Sequence, residues 1–169
     1  MPVSRDIVRT YRGPRRVVGE LMSMGQREDR AIMWLMIGCL LYFLSLLPIA
    51  QRDLVMGEAP LGMPGISDFE QATTTLLFST LMVLPLMFYA VALVAFGITR
   101  ALRSGATAYG ARVAIFWGWL AATPLALFFG LLVGFNGIEH PGSVLIGAVW
   151  LAVLAWFWIS GLAETSKET

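Results

Sequence analysis

The chain of 169 residues alternates long apolar stretches with short polar segments. Four stretches, each with at least 20 consecutive uncharged residues, cover residues 31–50, 73–99, 111–135 and 143–162. A helix rises ~1.5 Å per residue, so about 20 residues cross a hydrocarbon core of ~30 Å. The pattern therefore predicts an all-α fold, a polytopic bundle of four transmembrane helices.

The segment before the first span is mostly polar and predicts an element of its own. Within residues 7–22, apolar side chains recur at roughly helical spacing while arginines occupy the other faces. Gly13 and Pro14 indicate a break between two short helices, because proline is favoured in the first helical turn. We divide the chain into a basic amphipathic cytoplasmic arm at 1–30, a membrane domain at 31–163 and a short cytoplasmic tail at 164–169.

Basic residues are distributed asymmetrically about the four predicted spans. Eleven of the twelve lie on one side of the membrane, and Arg52 alone lies on the other side among several acids. Cytoplasmic flanks are enriched in Lys and Arg, so we expect both termini in the cytoplasm. Arginine outnumbers lysine eleven to one, which fits a GC-rich bacterial genome and indicates the bacterial inner (cytoplasmic) membrane.

Composition excludes several classes of function. Hydrophobic residues make up 57% of the chain and charged residues 14%, which is too apolar for a soluble domain of this size. The balance of 12 basic and 11 acidic residues argues against a nucleic-acid partner. Cys39 and His140 are each the sole residue of their type, so we expect no metal, haem or other cofactor. Glu139 and His140 have no nucleophile beside them and indicate a solvated turn, so we do not expect an enzyme.

Two prolines fall near the centres of predicted spans. Pro85 in the second span and Pro124 in the third each remove a backbone hydrogen bond, and we expect each to kink its helix. Two kinked neighbours can enclose a binding cavity, although proline is also ordinary in membrane helices.

Small residues in the third span predict close helix packing. Gly130 and Gly134 form a GxxxG step, and Gly118 with Ala122 forms a second small-xxx-small step. The partner is either another helix of the chain or a second protomer, and we favour a helix of the same chain.

The arm has two interpretations. It lies along the inner leaflet and contacts anionic headgroups or a partner, or it marks topology and packs against the cytoplasmic end of the bundle. We favour the first interpretation. The expected contact residues are Arg5, Arg9, Arg12, Arg15 and Arg16.

The chain resembles the bacterial Yip-domain family, small polytopic membrane proteins with a cytoplasmic N-terminus. The resemblance rests on the order of the spans and on two segments, Pro14-Arg15-Arg16-Val17-Val18 and Gly25-Gln26-Arg27-Glu28-Asp29-Arg30. That family commonly has five membrane segments, one more than predicted here. The resemblance implies a non-enzymatic role in membrane organisation or scaffolding; eukaryotic relatives bind Rab-type GTPases, which nothing in this sequence carries over.

Two other functions stay open at this point. The chain could be an accessory subunit that packs against the catalytic subunits of a respiratory or photosynthetic complex. It could also be a small transporter or channel with a cavity between the kinked second and third spans. The absence of ionisable residues from the predicted apolar cores counts against a proton-coupled pump. The sequence also leaves open a homo-oligomer and a first outer loop that dips back into the membrane.

Overall fold

The structure, a computed structural model, describes residues 3–101 and 105–165, which form helices joined by short turns and loops, with no strand among them. Arg103 and Lys167, two of the basic residues used for orientation, lie outside the described ranges. The helices are α1 (Val3–Thr10), α2 (Pro14–Ser23), α3 (Glu28–Val55), α4 (Phe69–Phe78), α5 (Leu84–Ala101), α6 (Ala108–Asn136) and α7 (Pro141–Thr165), with a π-helical segment (Ser79–Val83) joining α4 to α5 and a short 3₁₀ turn (Pro60–Gly62) after α3.

The predicted fold class, a helical bundle with four membrane-spanning helices, is confirmed. The four helices long and apolar enough to cross a membrane are Glu28–Val55, Phe69–Ala101, Ala108–Asn136 and Pro141–Thr165. Each extends one to five residues beyond the predicted apolar stretch at either end, because helices end at caps and not at the edge of the hydrocarbon. Asp68 accepts a hydrogen bond from the Gln71 amide at 2.8 Å, and Thr107 accepts one from the Gly110 amide at 3.0 Å.

Helix α6 is the centre of the bundle. Within residues 109–123 every side chain except that of Arg112 is buried, so this half of the helix is apolar on all faces. Helices α3, α5 and α7 surround it, and α1 and α2 cover its remaining side. We call the end of the bundle where α3 and α6 begin and α7 ends the arm end, and the opposite end the loop end.

Aromatic rings fill the space between α3, α5, α6 and α7. The ring of Trp119 lies 5.1 Å from Tyr42 and 4.5 Å from Phe88, while Trp150 stacks on Tyr42 at 6.0 Å. Rings at such separations attract each other beyond their burial, and their size bridges helices whose backbones stay apart. The interior of the bundle is therefore packed with side chains.

The two central prolines are accommodated differently. Before Pro85, the helix widens into the π-helical segment, and the Leu84 amide bonds the Ser79 carbonyl. Such a wide turn accommodates a proline, which has no amide hydrogen to donate to the carbonyl of the preceding turn. Pro124 lies inside α6, where the Leu120 carbonyl accepts the Thr123 hydroxyl at 2.8 Å in place of the missing amide.

Candidate functional site

Helices α1 and α2 form a helical hairpin, which we call the hairpin. Pro14 occupies the first turn of α2, where its missing amide costs nothing. Arg9 of α1 bonds Glu20 of α2, which holds the two helices together. Gly25 follows α2 with a φ of +87°, a conformation that glycine adopts without steric cost, and turns the chain toward α3. The predicted break at Gly13 and Pro14 is confirmed.

The apolar face of the hairpin is covered by protein. Val17 and Val18 are each 2% exposed, and Leu21 and Met22 are also buried. They pack with Trp34 of α3 and with three buried residues of α6, namely Val113, Trp117 and Leu120. The bundle buries this face, which agrees with the alternative interpretation that the arm packs against the bundle; contact of the arm with anionic headgroups stays a prediction.

Buried hydrogen bonds fix the tip of the hairpin. The Trp117 indole donates to the Thr10 hydroxyl at 3.0 Å, and that hydroxyl donates to the Asp6 carbonyl at 2.8 Å. The Tyr11 hydroxyl donates to the Ala121 carbonyl at 3.0 Å. Burial raises the pKa of Tyr11, so this hydroxyl stays protonated and remains a donor.

The hairpin stands against the bundle and does not lie across its end. Ala121 lies about 20 Å along α6 from its first residue, at ~1.5 Å per residue. The ring of Tyr11 also meets that of Phe157, edge to face, at 5.1 Å. The tip therefore lies beside Ala121 of α6, while Met22 lies beside Gly110 at the arm end.

Two of the five predicted contact arginines are held within the hairpin. Arg9 bonds both carboxylate oxygens of Glu20 at 2.8 Å and reaches Asp6 at 3.2 Å, and Arg16 reaches Glu20 at 3.1 Å. The hydrogen bond from Arg9 holds the pKa of Glu20 below its ordinary value. The same hydrogen bond raises the pKa of Arg9. Arg9 and Arg16 thus have an intramolecular partner.

The other three predicted arginines have no such partner. Arg5, Arg12 and Arg15 are exposed and make no ion pair in the described ranges. We call these three residues the basic face of the hairpin. The structure thus separates the five arginines into a paired set and an unpaired set on one fixed scaffold.

Ion pairs and a tyrosine close the junction between the hairpin and the bundle. Arg27 bonds Asp29 at 2.8 Å, and this bond raises the pKa of Arg27. The Arg27 amide donates to the Tyr109 hydroxyl at 3.1 Å. Arg112 of α6 pairs with Glu28 at the start of α3. The start of α3 is therefore fixed to the start of α6.

The predicted small-residue positions all lie against helices of the same chain. A methyl group at Gly130 would overlap the Ser45 carbonyl of α3, and one at Gly134 would lie 2.5 Å from Cβ of Pro48. A methyl group at Gly118 would lie 2.8 Å from Cδ1 of Trp158 on α7, and Ala122 is buried in the aromatic core.

The turn between α6 and α7, which contains Glu139 and His140, is stabilised by a hydrogen bond to its own backbone. His140 accepts a hydrogen bond from the Gly142 amide through Nδ1 at 3.1 Å, which caps the first turn of α7. Glu139 is exposed beside it.

A groove with a volume of about 380 Å³ runs between α5 and α6. It lies between the second and third spans, where the transporter hypothesis puts a cavity, but it is lined neither by Pro85 nor by Pro124. Its lining consists of Leu86, Tyr89, Ala90, Ala92, Leu93, Phe96, Ala108 and Arg112.

Sequence reasoning missed the residues that anchor the hairpin. The sequence pattern places Tyr11 only on the apolar face of the arm, and it identifies neither Thr10 as an anchor nor Glu20 as the partner of Arg9. One signal was present, since Glu20 follows Arg16 by four residues, a spacing that favours ion pairs on a helix. The contacts to Trp117 and Ala121 have no signal in one sequence, because they join residues more than 100 positions apart.

No protein-family model, curated protein or solved structure matches the chain.

Proposed function

We propose that this chain is a non-enzymatic, Yip-like protein of the bacterial inner membrane, with both termini in the cytoplasm, that organises lipid through the basic face of its hairpin. The observation that carries the proposal is the contrast among the five arginines. Glu20 pairs with Arg9 and Arg16, whereas Arg5, Arg12 and Arg15 are exposed and make no ion pair within residues 3–101 and 105–165.

Fixed geometry makes the basic face suitable for headgroup binding. The hairpin is anchored through Thr10, Tyr11 and its buried apolar face. Three cations on an ordered scaffold lose little backbone freedom when they meet an anionic surface. Each contributes about 1 kcal/mol near a membrane that contains anionic lipid.

The test measures the lipid that stays with the full-length protein. The protein is reconstituted in nanodiscs of mixed phosphatidylglycerol and phosphatidylcholine, extracted in mild detergent, and the ratio of the two retained lipids is quantified. We expect an enrichment of phosphatidylglycerol with a salt-sensitive part that ~1 M salt removes, because exposed charges are screened within ~3 Å at that ionic strength.

Two triple variants decide the outcome. Arg5→Gln, Arg12→Gln and Arg15→Gln together should abolish the salt-sensitive enrichment. The matched variant with Lys at the same three positions keeps the charge and should retain the enrichment. Equal enrichment in the Gln variant and the wild type would contradict the proposal.

An accessory subunit of a larger membrane complex is the second candidate. The second span favours it: of α5, only Phe88, Ala92, Ala95 and Thr99 are buried, and its other faces are open to lipid or to a partner subunit. Native purification separates the candidates, since stoichiometric co-migration with a redox complex supports the subunit and a self-contained protein supports the lipid-organising role.

A further inference from the structure

The groove between α5 and α6 matches one leaflet of a bilayer in length. Its lining on α5 runs from Leu86 to Phe96, a separation of ten residue steps or about 15 Å at ~1.5 Å per residue. Half of a hydrocarbon core of ~30 Å has the same depth. Its walls are almost entirely apolar, and Leu86, Ala90 and Leu93 on its α5 side are exposed. The groove can therefore accept an extended hydrocarbon chain of the leaflet at the arm end.

A cation lies at the arm end of the groove. Arg112 lines it, and Nη2 of this side chain pairs with Glu28. Nε of Arg112 is buried and has no hydrogen-bond partner in the described part of the chain. A guanidinium carries five N–H donors, so the ion pair leaves donors free for a second anion. A buried donor without an acceptor destabilises the protein, and an acceptor on a bound ligand would remove that cost.

Two further features favour an anion at this position. Ala108, the first residue of α6, also lines the groove, and the amides at the start of a helix attract negative charge. Arg100 follows Phe96 by one helical turn on α5 and is exposed. The apolar walls suit an acyl chain, and the positive charge at one end suits a phosphate. Both groups occur in one anionic phospholipid.

We propose that the groove binds one anionic glycerophospholipid of the leaflet at the arm end, with an acyl chain along α5 and the phosphate at the Arg112 guanidinium. The phosphate accepts hydrogen bonds from the unpaired N–H groups of Arg112, while Nη2 stays paired with Glu28. This site shares no residue with the basic face, and it does not depend on the proposed function. Binding is stoichiometric and resists salt because the Arg112 side chain is largely shielded, with 28% of it exposed.

Native mass spectrometry of the full-length protein tests the site. The protein is equilibrated with equal amounts of phosphatidylglycerol and phosphatidylcholine that carry the same acyl chains, then washed in ~1 M salt. We expect one retained phosphatidylglycerol per chain. Arg112→Gln should lower the retained amount about tenfold, as expected when a charge-assisted contact is lost. Retention of both lipids in equal amounts would overturn the proposal.

Matched variants separate phosphate binding from loss of the ion pair and from misfolding. Glu28→Gln breaks the pair but leaves the guanidinium, so retention should persist or rise. Ala90→Phe fills the groove and should remove the lipid, whereas Ala152→Phe, the same change on an exposed face of α7, should not. Lipid loss in both phenylalanine variants, or in neither, would overturn the proposal.

Other occupants give distinct results. Binding of sn-glycerol 3-phosphate as strong as that of the lipid would show a site for free phosphate and overturn the role of the acyl chain. A dimer mass that disappears in Ala90→Phe would assign the groove to a second copy of the chain. The Gln variant of the basic face should keep the salt-resistant lipid, so failure of one proposal does not imply failure of the other.

Discussion

At the residue scale, the hydroxyl of Thr10 connects the hairpin to α6. It donates to the Asp6 carbonyl at 2.8 Å and accepts from the Trp117 indole at 3.0 Å, with all three groups buried. A valine of similar shape would leave the indole N–H without an acceptor. An unpaired buried donor costs more than the hydrogen bond itself contributes, because water cannot reach it.

Thr10→Val should therefore destabilise the protein by about 1–3 kcal/mol. The measurement is the thermal unfolding midpoint of the full chain in detergent, followed by circular dichroism. The matched control is Thr73→Val, since the Thr73 hydroxyl is buried without a partner in the described ranges and its removal should be neutral or stabilising. Equal midpoints for the two variants would contradict the role of Thr10.

Glu20 makes the hairpin sensitive to acid. Its pKa in the folded protein is lowered, chiefly by the hydrogen bond from Arg9. The ion pair therefore stabilises the fold above the unfolded pKa of ~4.3, and this stability is lost as the pH falls through the lower folded pKa. Hydrogen-exchange protection factors for α1 and α2 should fall as the pH drops below about 4.

Two variants check the assignment to Glu20. Glu20→Gln should show low protection in the hairpin at every pH, with a flatter dependence. Glu70→Gln changes an exposed glutamate that has no ion pair in the described ranges and should leave the dependence intact. An unchanged profile in Glu20→Gln would assign the acid sensitivity to another group.

At the element scale, α3 and α6 run parallel at close range. Gly130 lies on the Ser45 carbonyl and Gly134 on Pro48, so both glycines leave space that the α3 backbone occupies. Near the arm end, Gly38 of α3 in turn leaves space for the Trp119 ring of α6. Small residues in membrane helices permit this close backbone approach.

Gly130→Ala should force the two helices apart, since its methyl group would overlap the Ser45 carbonyl oxygen. Overpacking of this kind costs about 1–3 kcal/mol, measurable as a lower unfolding midpoint. Gly97→Ala is the matched control: this glycine lies in α5 with nothing within 4 Å of the added carbon. There the helix propensity of alanine should leave the midpoint unchanged or higher, and a loss equal to that of Gly130→Ala would contradict the packing argument.

The elements differ in how well the sequence predicts them. The spans are predictable because crossing a membrane demands a long apolar stretch, whatever its partners. The docking of the hairpin cannot be predicted from the sequence, because Val17, Val18 and Leu21 give the same amphipathic pattern whether they contact lipid or protein. The π-helical segment before Pro85 and the pairing of Thr123 with Leu120 depend on local geometry that composition does not encode.

At the scale of the whole molecule, the hairpin and the end of α7 meet at one end of the bundle. Met22 and Thr165 both lie beside Gly110. A chain whose segments before the first span and after the last span meet at one end of the bundle must cross the membrane an even number of times. The proposed cytoplasmic location of that end then assigns the loop after α3 to the opposite side of the membrane.

Single cysteines test this orientation. In a Cys39→Ala background, Ser23→Cys places a thiol on an exposed residue of the hairpin, and Glu58→Cys places one in the exposed loop after α3. An impermeant maleimide should label Glu58→Cys in spheroplasts and Ser23→Cys only in inverted vesicles. The reverse labelling would overturn the proposed orientation, and labelling of the background variant serves as the control.

The long reach of the hairpin contacts determines when they form during synthesis. Tyr11 precedes Ala121 by 110 residues, and Val18 meets Gly161 of the last helix. At about 5–20 residues per second, the ribosome needs roughly 5–20 s to supply the first of these partners. Throughout that interval the hairpin is basic, amphipathic and undocked, so an uncovered hairpin distinguishes a nascent or truncated chain from a finished one.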